Sequence, residues 1–214
     1  SCVNSISISG RRISQEDPPY VIAEISANHN GDLGRAKTLI DVAKSRGADA
    51  VKLQTYKPDT ITLDHDSQDF IIEGGLWHGR SLYDLYSQAH MPWEWTGPLF
   101  DHARKIGITI FSSPFDRSAV DLLEDLGAPA YKIASFEAID HDLIGYVAKT
   151  GKPIIISTGM ANDIEIQEAI DVARSSGCKE LAILHCVSGY PATPLDYNLR
   201  TVTDMISRFG CVTG

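Results

Sequence analysis

The sequence predicts an α/β fold built on a parallel sheet. Short β-rich apolar runs alternate with stretches of helical period along most of the chain. The runs are almost continuously apolar, as strands buried on both faces are. Glycine stands between most of the helices and the strand that follows. Together these observations describe strands that pair side by side while helices cover both faces of the sheet.

The strands are expected at 20–26, 50–55, 108–112, 130–134, 153–158 and 181–186, with a seventh run at 211–213. Gly47, Gly107, Gly127, Gly177 and Gly210 close the helices before them, in the position where a left-handed C-cap turns the chain toward the next strand. In the helix expected at 34–46, Ala36, Leu39, Ile40 and Ala43 form an apolar stripe, with Lys37, Asp41 and Lys44 outside it. Similar stripes run through 119–126 and 164–173. Between Thr55 and Trp95 the connection runs to about 40 residues, rich in Asp, Gly, His and Trp, and a long insert after a strand points to function.

Two architectures suit this rhythm, an open doubly wound sheet and a (β/α)8 barrel. The strand starts recur about every 32 residues, and eight such units make a barrel of about 250 residues. An open six-stranded sheet would be complete within the 214 residues, and a barrel would not. No G-x-G-x-x-G follows the first strand, which weakens the dinucleotide-binding form of the open sheet. Repetition alone leaves both architectures open.

Composition removes other classes. The chain is 43% hydrophobic and 22% charged, which argues against disorder and collagen. With 19 Lys and Arg against 28 Asp and Glu, the net charge of −9 makes a nucleic-acid partner unlikely on electrostatic grounds. No apolar run is long enough to span a bilayer, and residues 1–12 lack the apolar core of a signal peptide. Cys2, Cys178, Cys186 and Cys211 show no C-x-x-C spacing, so a reduced, cytoplasmic protein is expected.

Function shows at the strand ends. An ionised group inside a parallel strand costs several kcal/mol unless it has a partner, yet Glu24, Lys52 and Lys132 all stand within strands. Alternation puts Lys52 and Gln54 on one face and Val51 and Leu53 on the other. Glu24 shares a face with Ile22 and Ser26, and Lys132 shares one with Ala130 and Ala134. The remaining strands end in Ser112-Ser113, Ser157-Thr158-Gly159 and His185-Cys186-Val187-Ser188. Each feature alone has an ordinary reading: a lysine that snorkels, a glutamate paired structurally with Lys52, serines that cap helices, and a hydrogen-bonded His29 or His185. Recurrence on six successive strands is better explained by a site for a phosphorylated or carboxylated anion.

These segments resemble the sialic acid synthase family, enzymes that condense phosphoenolpyruvate with an N-acylated amino sugar. The motifs are Ala23-Glu24-Ile25-Ser26-Ala27-Asn28-His29-Asn30-Gly31, Lys52-Leu53-Gln54-Thr55-Tyr56, Phe111-Ser112-Ser113-Pro114-Phe115, Tyr131-Lys132-Ile133-Ala134-Ser135-Phe136-Glu137, Ile156-Ser157-Thr158-Gly159-Met160 and His185-Cys186-Val187-Ser188-Gly189-Tyr190-Pro191. The insert, with Gly74-Gly75-Leu76-Trp77 and Pro92-Trp93-Glu94-Trp95, looks most like the pseudaminic acid synthase branch. The resemblance implies a TIM barrel truncated at about the start of its seventh strand, with residues 1–19 as an N-terminal extension and 20–214 as the partial catalytic domain. It also implies a homodimer at full length and a C-terminal antifreeze-like domain that this chain lacks.

By the same resemblance, Lys52, Ser113, Lys132, Ser135, Ser157 and Ser188 hold phosphoenolpyruvate, Ser188 standing where the family often carries Asn. Glu24, Asn28 and Tyr190 contact the sugar, and Glu137 joins Glu24, Lys52 and Lys132 as a catalytic residue. The cofactor implied is a divalent metal, Mn²⁺, polarising the sugar aldehyde, with its ligands beyond Gly214 and none in this chain. The product implied is pseudaminic acid, from 2,4-diacetamido-2,4,6-trideoxy-altrose. Alternatives are an N-acetylneuraminate or legionaminic acid synthase, a Schiff-base aldolase using Lys132, and a non-catalytic anion-binding module. A barrel cut at this point leaves strand edges exposed, so the chain alone is expected to be inactive or poorly soluble.

Overall fold

The computed structural model describes residues 5–14, 16–25, 31–55, 91–133, 140–157 and 162–184, and the backbone of 212–213. The chain folds as two compact units, one of Val21–Leu126 and one of Ser1–Tyr20 with Gly127–Gly214.

In the first unit the strands are β3 (Ile22–Glu24), β4 (Ala50–Thr55) and β5 (Thr109–Pro114), and the helices are α1 (Leu33–Ser45), α2 (Trp93–Ile106) and α3 (Arg117–Asp125). The strands are parallel and adjacent in chain order, with Glu24 opposite Lys52 and Gln54 opposite Ser113. β4 coincides with the expected strand at 50–55, and α1 is displaced by one residue from the expected 34–46. β3 is shorter than the expected 20–26. Asp49 fixes the entry to the sheet by accepting from the Val21 amide at 2.8 Å.

α1 and α3 each start on a side chain that accepts from first-turn amides. Asp32 takes the Gly34 amide at 2.8 Å, and Asp116 takes that of Ala119 at 2.8 Å. The helix ends are held by cations from neighbouring helices: Lys44 of α1 donates to the Ile106 carbonyl, and Arg104 of α2 to the Leu126 carbonyl just past α3. Gly107 must leave α2 at φ +82, and a β-carbon there would also sit 3.3 Å from the Lys44 ammonium. The apolar stripes face inward as their period requires, with Ala36, Ile40, Leu99, Phe100, Ala103, Ala119 and Leu123 buried.

The second unit holds β6 (Tyr131–Ile133), β7 (Ile154–Ser157), β8 (Leu181–Leu184) and β9 (Val212–Thr213), with α4 (His141–Ala148) and α5 (Asp163–Ser175). These strands too are parallel and run in chain order. Neither unit shows the reversal of strand order that marks a doubly wound sheet, which favours the barrel over the open sheet. α5 begins with a reciprocal capping box: Asn162 accepts from the Glu165 amide at 2.9 Å, and Glu165 accepts from that of Asn162 at 3.4 Å.

The same unit contains a hairpin that the sequence reading treated only as an extension, β1 (Ser5–Ile8) paired antiparallel with β2 (Arg11–Ser14). Its two-residue turn, Ser9-Gly10, has φ of 50 and 81, the signature of a turn that matches strand twist. Ile6 and Ile8 are buried on one face, and the Ser7 amide donates to Glu180 at 3.0 Å. The Ser-Ile alternation was the available signal, weak because it spans four residues.

Cys178, after α5, is buried, and that burial pushes its thiol from an ordinary 9.0 up to about 11. A thiol raised in the folded state stabilises fully below 9.0, and the contribution is lost as pH rises toward 11. The stability difference between the wild type and Cys178→Val should therefore move against the wild type across that interval in urea titrations. A difference independent of pH would contradict the burial account. Removing the α5 cap by Asn162→Ala should cost about 1 kcal/mol of unfolding free energy, and an unchanged denaturation midpoint would refute the cap.

Candidate anion-binding site

In the first unit the site is built by register. Partners across a parallel ladder point to the same side, so Glu24 on β3, Lys52 and Gln54 on β4 and Ser113 on β5 share one face. Lys52 is 7% exposed, and its ammonium pairs with a Glu24 carboxylate oxygen. The glutamate side chain itself is 42% exposed, so the pair has a dry cation and a wet anion. A phosphate or carboxylate arriving from the glutamate side meets a cation whose own partner is screened by solvent.

Ser113 stands beside them, buried, and its hydroxyl has no hydrogen-bond partner among the described residues. Leaving a hydroxyl dry and unpaired costs about 1–3 kcal/mol, which a ligand oxygen would recover. Ser112, its neighbour, points to the opposite face and shares a 2.6 Å hydrogen bond with Thr55. On the Lys52 face the serine without a partner among the described residues is Ser113 rather than Ser112, as alternation along β5 requires once the register is known. Gln54 was read as a face-mate of Lys52 without being singled out, and its position opposite Ser113 places it in the same constellation.

The second unit repeats the arrangement. Lys132 lies between the buried Tyr131 and Ile133 and pairs in register with Ile155, so it shares a face with Ser157 two residues on. The Ser157 hydroxyl is buried and has no hydrogen-bond partner among the described residues. Each unit thus sets a strand lysine and an orphaned serine hydroxyl on one face near the C-terminal strand ends. Asn28, Ser135, Glu137, Ser188 and Tyr190, like His29, His185 and the insert at 56–90, lie outside the described residues.

Parallel strands in chain order, alternating with helices, fit a (β/α) barrel. The chain belongs to the NeuB family, whose model matches residues 39–214. The pseudaminic acid synthase of Helicobacter pylori is 48% identical over 197 residues, 92% of this chain and 58% of that protein. An N,N'-diacetyllegionaminic acid synthase of Campylobacter jejuni is 36% identical over 88% of this chain and 57% of its own length. Among solved structures, the N-acetylneuraminic acid synthetase of Leptospira borgpetersenii, in complex with citrate, superposes with a TM-score of 0.83 at 27% identity, covering 98% of this chain and 68% of that one. This chain spans under two thirds of the length of the synthases it matches in sequence, 58% and 57%.

The ion pair has an asymmetric mutational signature. Glu24→Leu leaves a buried ammonium behind and should cost about 1–3 kcal/mol of stability, whereas Lys52→Met leaves only a wet carboxylate and should cost under about 1. Chemical denaturation of the two variants measures this, and equal costs would refute the dry-cation account.

Proposed function

We propose that this chain carries the phosphoenolpyruvate-handling barrel of a nonulosonic acid synthase, a carbon–carbon bond-forming transferase that joins phosphoenolpyruvate to an N-acylated amino sugar and releases phosphate. The observation that carries the reading is the buried Lys52 ammonium with Glu24 on one side and the orphaned Ser113 hydroxyl on the same face. The citrate in the Leptospira synthetase complex supports it, since citrate and phosphoenolpyruvate are both small polyanions. The higher identity to a pseudaminic acid synthase than to a legionaminic acid synthase supports 2,4-diacetamido-2,4,6-trideoxy-altrose as the sugar and pseudaminic acid as the product.

On this reading C3 of phosphoenolpyruvate attacks the open-chain aldehyde, water adds at C2, and cleavage of the C2–O bond expels phosphate. Lys52 and Lys132 neutralise the phosphate charge, which grows as that bond breaks, and the Ser113 and Ser157 hydroxyls donate to its oxygens. Glu24 accepts a hydrogen bond from the sugar or from the attacking water. Ser135 and Ser188 complete the phosphate contacts, Asn28 and Tyr190 the sugar contacts, and Glu137 the acidic groups. The reading includes a cytoplasmic homodimer and a divalent cation, Mn²⁺, which would supply Lewis-acid polarisation. Among the described residues no group of three or more His, Cys, Asp or Glu side chains is placed to hold that ion. Those residues do not fit it, and no step above runs through it.

In the full-length protein, phosphate release from phosphoenolpyruvate should require the diacetamido sugar, and N-acetylmannosamine should be a poor substitute. Lys52→Met should lower kcat/KM by about 100-fold or more. Sugar-independent phosphate release, or a borohydride-trapped adduct of a keto substrate on Lys132, would overturn the synthase reading, the adduct in favour of an aldolase.

A further inference from the structure

The Thr55–Ser112 hydroxyl pair lies behind the site rather than in it. Both residues are buried, and their side chains meet at 2.6 Å on the face opposite Lys52, Gln54 and Ser113. Each is bonded in sequence to a residue of the site face: Thr55 follows Gln54, and Ser112 precedes Ser113. The backbone ladder reaches this end of the two strands, with the Phe115 amide donating to the Thr55 carbonyl at 3.3 Å, and Pro114, in register with Thr55, has its nitrogen on the side away from β4. The hydroxyl pair adds a side-chain link between the two strands, on the face away from the site. Stability alone does not call for hydroxyls here, since valine and alanine would fill similar space with no polar group to bury.

We propose that Thr55 and Ser112 are positioning residues. They clamp the ends of β4 and β5 from behind and thereby fix the Ser113 hydroxyl relative to the Lys52 ammonium for the incoming phosphate. A rotation of the β5 end that Ser112 no longer restrains would swing Ser113 on the other face by a comparable angle. This inference rests on the phosphoenolpyruvate reading of the same site.

The test is calorimetric binding of phosphoenolpyruvate to the full-length protein, with steady-state kinetics alongside. Thr55→Val and Ser112→Ala should each weaken binding by about 5- to 20-fold, and the double variant should be little worse than either single, as members of one coupled pair are. KM for phosphoenolpyruvate should rise more than kcat falls, and Thr55→Ser, which keeps the hydroxyl, should bind like the wild type. Variants that lose thermal stability yet bind normally would overturn the positioning role, as would Thr55→Ser binding no better than Thr55→Val. Lys52→Met separates the two claims. Loss of binding in that variant with normal binding in Thr55→Val removes the clamp and leaves the function standing, whereas a wild type that binds no phosphoenolpyruvate removes both.

Discussion

A lysine in the middle of a strand with two dry faces has to find its partner on a neighbouring strand, because its own strand offers none within reach. In this chain Lys52 meets that requirement through Glu24, opposite it on β3. The pairing needs β3 and β4 to be parallel, adjacent and in one register, so the ion pair and the fold specify each other. Much of the first unit serves this register. Asp49 anchors the start of β3, the Ile25 amide extends the ladder to the Lys52 carbonyl at 3.2 Å, and the buried faces of α1, α2 and α3 keep water away. A slip of one residue would turn Lys52 to the other face and leave Glu24 behind.

Ser113 and Ser157 stand near the C-terminal ends of strands in different units, each buried, each on the face of a strand lysine and each with a hydroxyl that has no hydrogen-bond partner among the described residues. Ser112 shows that an unpaired hydroxyl is avoidable at such a position, since it pairs with Thr55 within the same layer. A buried donor without an acceptor lowers stability, and its repetition beside cations indicates selection for something other than folding.

The helices contribute by holding the strand ends still. Side chains cap the N-termini of α1, α3, α4 and α5, and in the first unit Lys44 and Arg104 donate to carbonyls at the C-terminal ends of α2 and α3. Helix position is therefore tied to helix position without relying on the loops at the strand ends, which leaves those loops free to carry ligand chemistry.

The sequence by itself marked the strand positions to within a few residues, and it marked the charges of Glu24, Lys52 and Lys132 as out of place in buried strands. Those are local properties: period, glycine caps and the identity of a residue inside an apolar run can be read within a short window. Only the tertiary structure decided that Glu24 and Lys52 pair, that Ser113 and Ser157 are orphaned while Ser112 is not, and that residues 5–14 form a hairpin. Each of these depends on which strand lies alongside and in what register. Thr55 and Ser112 are 57 residues apart in the chain and 2.6 Å apart in space, and no local pattern carries that contact. Sequence reading left Glu24 divided between a structural pairing and a ligand role. The fold shows the structural pairing, and it leaves that same carboxylate 42% exposed to solvent.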